Sequence, residues 1–320
     1  MGGVLYFESN AEDIWTLGIA DNGSKIDIAK ISGISDYDAS NPFEPPHVDK
    51  IVNLSGKIEG VSIAGEPSSI IAKGQIRNIK VDSIDEMVSI ETDVRDVVAG
   101  SINGGIYGGR DILNIQAATY IDTLMAKRNV RNINAGSGIY GIYGEGDIGA
   151  INATYIGDIE AGKGIRDIKA GSIGDLHSQF GDIMNVLSDH DIESIWSGKN
   201  VKDVRSTGGS IDDIFAVGSV SIIRAREVGD IWAGVDVKDM IIEEGITGKI
   251  FAKRDVSKVS VIGDINLIQA MRDVKTISSQ GNVEVIAHRD AVGIEGMDGI
   301  VYYGRKYSKI SDNLSIEKLV

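Results

Sequence analysis

One spacing constrains this chain more than any other feature. Stepping by nine from Val52 gives Val61, Ile70, Ile79, Val88, Val97, Ile106, Ile115, Leu124, Ile133, Ile142 and Ile151, all of them Val, Ile or Leu. With 42% of the chain hydrophobic, chance produces such a run about three times in a hundred thousand. After slips of one to three residues the series continues at Ile159, Ile168, Leu176, Ile183, Ile192, Val204, Ile214, Ile223, Ile231 and Ile241. It then returns to strict nines at Ile250, Val259, Ile268, Ile277 and Ile286. That makes about 27 units, and a fixed period of this kind decides fold class.

Two further positions in the unit are patterned. The third is small, as at Ala72, Ala117, Ala126, Ala135, Ala161, Ala170, Ala225, Ala252 and Ala270. The seventh is aliphatic, as at Ile76, Val94, Ile112, Val130, Ile148, Ile165 and Val256. Residues two apart on a strand share a face, so the first and third positions point inward with a polar residue between them facing water. The seventh points inward again only if the chain bends in between, where Gly, Asp, Asn and Ser cluster. No helical periodicity competes. Each nonapeptide is a short strand and a corner, too small to bury itself, so successive coils must stack. The expected fold is all-β: a single-stranded parallel β-helix, or β-solenoid. Two or three nonapeptides per coil both fit. Tyr107 and Tyr143, like Trp196 and Trp232, share the second position four units apart, a whole number of coils only if each coil holds two.

Composition agrees with a narrow interior: 40 Gly, 4 Pro and 6% aromatic residues suit many short β-branched strands. The pattern divides the chain into an N-terminal cap or junction (1–50), the solenoid (51–294) and a C-terminal cap or docking segment (295–320). The first contains strand-like Ile26, Ile28 and Ile31 and the proline-rich loop Asn41 to Val48. A net charge of −15 repels phosphate backbones and anionic lipid, arguing against nucleic-acid and membrane-surface binding. No apolar run reaches the roughly 18 residues of a membrane helix, and the first residues lack the features of a secretory signal. The chain has no Cys, so disulfides and thiolate metal sites are excluded.

The stretches Gly229-Asp230-Ile231-Trp232-Ala233 and Gly157-Asp158-Ile159-Glu160-Ala161 resemble the G-[DN]-[IV]-x-x-[IV]-x-A/V units of large bacterial surface proteins, the repeat-rich β-helical proteins of cell envelopes and adhesins. The resemblance covers most of residues 52–290. It implies an extracellular or cell-surface location and a structural or adhesive role, and it transfers no catalytic residue.

Candidate chemistry is sparse. Asp recurs before the inward aliphatic at Asp96, Asp158, Asp167, Asp175, Asp182, Asp191, Asp203, Asp213, Asp230 and Asp239. Stacked coils would line carboxylates into ladders, and Asp158, Asp167, Asp175, Asp182 and Asp191 are the candidates for Ca²⁺. Asp capping corners through backbone N–H groups is the competing explanation, and no cofactor is required. His177 and His190, near Asp182, Asp189 and Asp191, match no metal-ligand spacing. Glu243 and Glu244 are the best local carboxylate pair for a polysaccharide-cleaving β-helix, but neighbours on a strand point to opposite faces. Tyr107, Tyr140, Tyr143 and Tyr155 are candidates for a sugar-stacking or protein-docking stripe. The expectation is a non-enzymatic structural protein that self-assembles into an oligomer or polymer, or forms a rigid shaft. The alternative is an adhesin module binding glycan or a surface protein; a lyase or hydrolase ranks third.

Overall fold

A computed structural model describes residues 4–8, 14–18, 50–53, 57–63, 67 and 69–319. By internal packing the chain falls into two units, Met1–Gly157 and Asp158–Val320. Each is a parallel β-solenoid, and between them they comprise about 14 turns. Among the described residues there is no helix.

The strand register gives the coil length. In the first unit Val94, Ile112, Val130 and Ile148 lie over one another. In the second, Ile165, Ile183 and Val201 do the same. These partners are 18 residues apart, which removes the 27-residue coil. A coil has two walls. One carries the buried set Ile112, Ile115 and Ala117, the other Ile121, Leu124 and Ala126, and all six are at most 4% exposed. The small third residue keeps the interior narrow, while each buried Ile contributes about 1.5–3 kcal/mol. Of the positions that anchor the nine-residue step, Val61, Ile70 and Ile79 are buried to within 1%.

Three residues of that step point outward instead. Val88 is half-buried and Met87 takes the interior place. The reason is coil length. Met87 lies over Ile70 and under Ile106, so one coil falls a residue short of two nonapeptides and the next runs a residue over. Ile241 is exposed between buried Met240 and Ile242. Ile286 is half-buried beside Val285, after a register shift between Ile265 and Ile268. The side chain of Val52 lies outside the described residues; Ile51 beside it is fully buried.

The sharpest turn lies elsewhere than the alternation suggests. One residue per coil adopts a left-handed conformation, just before the inward aliphatic of one wall. It is Asn78, Asp96, Asn114, Asn132 and Ala150 in the first unit, and Asp167, Asn185, Asp203, Ile222, Asp239, Lys258, Thr276 and Lys309 in the second, with φ of 50–59°. Asn and Asp tolerate this region best after Gly. Their side chains also join coil to coil: Asn132 Nδ2 donates to Asn114 Oδ1 at 2.9 Å, and Asn114 Nδ2 to Asp96 Oδ1 at 2.8 Å.

At the N-terminal side, Val4–Glu8 pairs antiparallel with Ile14–Gly18 and with Lys50–Asn53, after which pairing is parallel. Ile26, Ile28, Ile31 and the loop Asn41 to Val48 lie outside the described residues. In the segment 295–320 the parallel ladder runs on: Gly299–Tyr303 pairs with Val283–Ala287 and then with Ser315–Lys318, a strand exposed along its whole length.

Ile222 occupies the left-handed position with φ 57°, a costly place for a β-branched residue. Ile222→Asn is predicted to raise stability by about 1 kcal/mol, measured by urea unfolding. An unchanged or lower midpoint would show that the turn is not strained there.

Candidate interaction face

The two walls differ in what they turn toward water. The wall with the left-handed turn is polar. In the first unit its outward row is Lys80, Val98, Gln116, Asn134 and Asn152. In the second it is Lys169, Leu187, Arg205, Arg224, Ile241, Ser260, Ser278 and Glu295. The opposite wall carries an apolar row: Ile71, Val88, Tyr107, Met125 and Tyr143 in the first unit. In the second unit the row is Glu160, His177, Trp196, Phe215, Trp232, Phe251, Gln269, Ile286, Tyr302 and Glu317.

Five consecutive rungs of that second row form an aromatic ladder. His177 meets Trp196 edge-to-face with ring centroids 4.4 Å apart. Trp196 stacks on Phe215 at 5.8 Å, Phe215 on Trp232 at 4.4 Å, and Trp232 on Phe251 at 6.1 Å, with interplanar angles of 2°, 4° and 21°. Parallel strands about 4.8 Å apart impose this spacing. Lys253 Nζ lies 5.1 Å from the Trp232 centroid, a cation–π contact at the edge of the row. The faces of Phe215 and Trp232 are occupied by neighbouring rings, so the ladder presents ring edges outward.

The four tyrosine candidates separate into two groups. Tyr107 and Tyr143 flank Met125 in the apolar row. Each leans back along its strand over a glycine: an added Cβ at Gly141 would meet the Tyr143 ring at 2.8 Å, and one at Gly105 would meet Tyr107 at 3.2 Å. Tyr140 and Tyr155 lie elsewhere on the coil, with Tyr120. Their centroids are 6.2 Å apart for both the 120–140 and 140–155 pairs, tilted by 61° and 58°. Tyr140 and Tyr155 are 57% and 43% exposed, and the Tyr120 hydroxyl donates to Asn103 Oδ1 at 2.6 Å.

The aspartate series divides among different edges of the coil. Asp167 is a left-handed turn residue whose Oδ1 accepts from Asn185 Nδ2 at 2.9 Å. Asp158 and Asp175 stand two residues before the apolar row; Asp175 Oδ1 accepts the Ser194 N–H at 3.1 Å. Asp191 Oδ1 accepts the N–H and hydroxyl of Ser210 at 2.8 and 3.0 Å. Asp182 accepts from the N–H and Nδ2 of Asn200 and, through Oδ2, from Lys202 Nζ at 3.0 Å. Most of these carboxylates therefore cap backbone N–H groups one coil further on rather than locally. Among the described residues, no three His, Asp or Glu side chains come together as a metal site. His177 belongs to the aromatic ladder and His190 is exposed. Glu243 and Glu244 are both exposed, and Glu244 lies 3.7 Å from Arg226.

At the corner that follows the aromatic wall, stacked aspartates alternate with arginines. Arg254 Nε donates to Asp236 at 2.8 Å, Arg289 Nε to Asp273 at 2.6 Å and Arg305 Nε to Asp290 at 3.0 Å. Arg289 hydrogen-bonding holds the Asp273 carboxyl far below the usual range; burial opposes this, and Lys275, 2.6 Å away, reinforces it. The Asp290 carboxyl is lowered by Arg305, and that of Asp191 by the Ser210 N–H. At Asp182 burial pushes upward but hydrogen bonds from Lys202 and Asn200 outweigh it.

Trp196 and Trp232 served in the sequence only to indicate period. Their partners Phe215 and Phe251 went unseen because the coils between them run alternately one residue over and one residue under two nonapeptides. No protein-family model, curated protein or solved structure matches the chain.

These depressed carboxyl pKa values stabilise the fold above the unfolded value near 4, and that contribution is lost as pH falls through the folded values. Acid unfolding is predicted to begin below about pH 4. Asp273→Asn should cost about 1.5–3 kcal/mol at pH 7 and much less at pH 2, where the wild-type advantage is shrinking. Equal losses at both pH values in denaturant titrations would refute the charge assignment.

Proposed function

We propose that this protein is a non-enzymatic structural β-solenoid, a stiff element of an extracellular or cell-surface array whose neighbouring subunits or domains pack on the aromatic wall. The observation that carries this reading is the asymmetry of the two walls. Contiguous exposed apolar surface marks interaction sites, and in the second unit the aromatic ladder is such a surface on one wall, while the opposite wall is mostly polar. In the second unit the whole face, nine rung spacings of about 4.8 Å across a strand of about 20 Å, offers roughly 860 Å², with the ring ladder as its apolar centre. That is enough for the roughly 800 Å² per partner of a standard interface. Edge-presenting rings suit side chains interdigitating from another sheet about 10 Å away. Sugars bind through ring faces, and those of Phe215 and Trp232 are covered.

Site-specific photo-crosslinking in the native assembly tests this. A benzoylphenylalanine at Phe215 is expected to give at least fivefold more adduct, roughly 1 kcal/mol of preference, than one at Arg205 on the polar wall. Equal yields would overturn the docking wall.

The exposed tilted rings of Tyr140 and Tyr155 favour a second reading, an adhesin module that binds glycan in the first unit. A glycan array should then give hits that Tyr140→Ala/Tyr155→Ala abolishes. An empty array, or hits unchanged by the substitutions, removes this reading.

A further inference from the structure

We infer that the occupant of the aromatic wall in the second unit is a basic, apolar-faced β-strand of another protein, not a second copy of this chain; the inference rests on the docking role just proposed. Three rungs carry a carboxylate two residues before a ring: Asp213 shares its strand with Phe215, while Asp175 and Asp230 immediately precede the strands that hold His177 and Trp232. The residue between is buried in each case. Same-face neighbours on a strand are about 6.6–6.8 Å apart. A facing strand with an aliphatic residue and a Lys or Arg two positions apart therefore places one on the ring edges and the other on the carboxylates.

The charges on this wall await a partner. Asp175, Asp213 and Asp230 each accept a backbone N–H from the next coil. No ion pair among the described residues includes them, nor the nearby Asp158, Glu193 and Asp212. At the following corner, by contrast, Asp236, Asp273 and Asp290 each hold an arginine. Stacked like charges about one strand apart repel, and an apposed cation row relieves that repulsion.

A second copy supplies few cations. A two-fold axis along the solenoid sets the Asp row opposite the row two residues beyond the rings, which is Gln179, Gly198, Val217, Gly234 and Lys253. A two-fold axis along the strands sets Asp rungs against the same row of the other copy. Each copy also brings a net charge of −15, which opposes association.

Calorimetry and Trp196/Trp232 fluorescence on the full chain, with a synthetic alternating Lys-Leu peptide, provide the test. Binding that weakens with salt is expected, and an alternating Glu-Leu peptide should not bind. Asp213→Asn/Asp230→Asn should weaken the Lys-Leu peptide roughly three- to tenfold, the worth of two exposed ion pairs. Asp213→Glu, which keeps the charge, should bind as wild type, with circular dichroism confirming the fold of each variant. Equal affinity for both peptides, or no loss in the Asn variant, would overturn the inference. So would sedimentation showing tighter self-association than peptide binding, an outcome that leaves the docking wall standing. Only failed crosslinking at position 215 would remove the wall itself.

Discussion

Parallel stacking at a repeat of about 18 residues places each side chain on its counterpart from the coil before. Everything else in the molecule answers to that rule. For aliphatic residues it is favourable at every rung, since Ile112 over Val94 and under Val130 makes a continuous dry interior without long-range pairing. Stability in such a fold accumulates from neighbour to neighbour. For polar and charged residues the same rule is a liability, because like groups are brought within one strand spacing. Amides resolve it by donating to the rung beside them, as in the Asn132, Asn114, Asp96 chain. Aspartates at the corner resolve it by accepting arginines, as Asp236, Asp273 and Asp290 do. The acidic row beside the aromatic ladder accepts backbone N–H groups but no cation, which sets it apart from that corner.

How much of this was legible follows from what each feature asks of sequence. The inward wall needs an aliphatic residue at a fixed place, so Ile106, Ile115 and Ile133 announce it directly. Val88, Ile241 and Ile286 look like members of the same series and face outward. Corners absorb one residue more or less without disturbing the strands, and a count by nines does not register that. The left-handed turn is half visible: Asn78 and Asn114 name it, while Ile222, Lys258 and Thr276 occupy it because the stacked coils hold the backbone there.

The interaction face was the hardest to see, for the same reason. Outward positions carry no requirement to be apolar, so their pattern emerges only when register is known. Tyr107 and Tyr143 could be paired by counting four units. Phe215 could not be placed between Trp196 and Trp232 without knowing that one coil is a residue long and the next a residue short. The grouping of four tyrosines into one stripe failed similarly. The chain bends between Tyr140 and Tyr143, since Ile139 and Ile142 are three apart and both fully buried, so the two outward rings fall on different faces of the coil.

Stacking also limits what the aromatic row can do. An isolated Trp on a sheet offers a broad face to a sugar ring or a cation. In a ladder of rings one strand apart, each face is consumed by the next rung, contributing about 0.5–1.5 kcal/mol per pair to the fold. What remains for a partner is a strip of edges, apolar and regularly spaced, and ring edges carry the positive end of the quadrupole. Lys253 already makes the cation–π contact to Trp232 at the edge of the row, and the ring edges elsewhere in the strip offer a cation little. The attraction for positive charge resides in the carboxylates two residues away, so apolar and ionic recognition fall on separate parallel rows. A surface organised that way selects for another strand of alternating character and against a compact ligand, whatever the chemistry of that ligand.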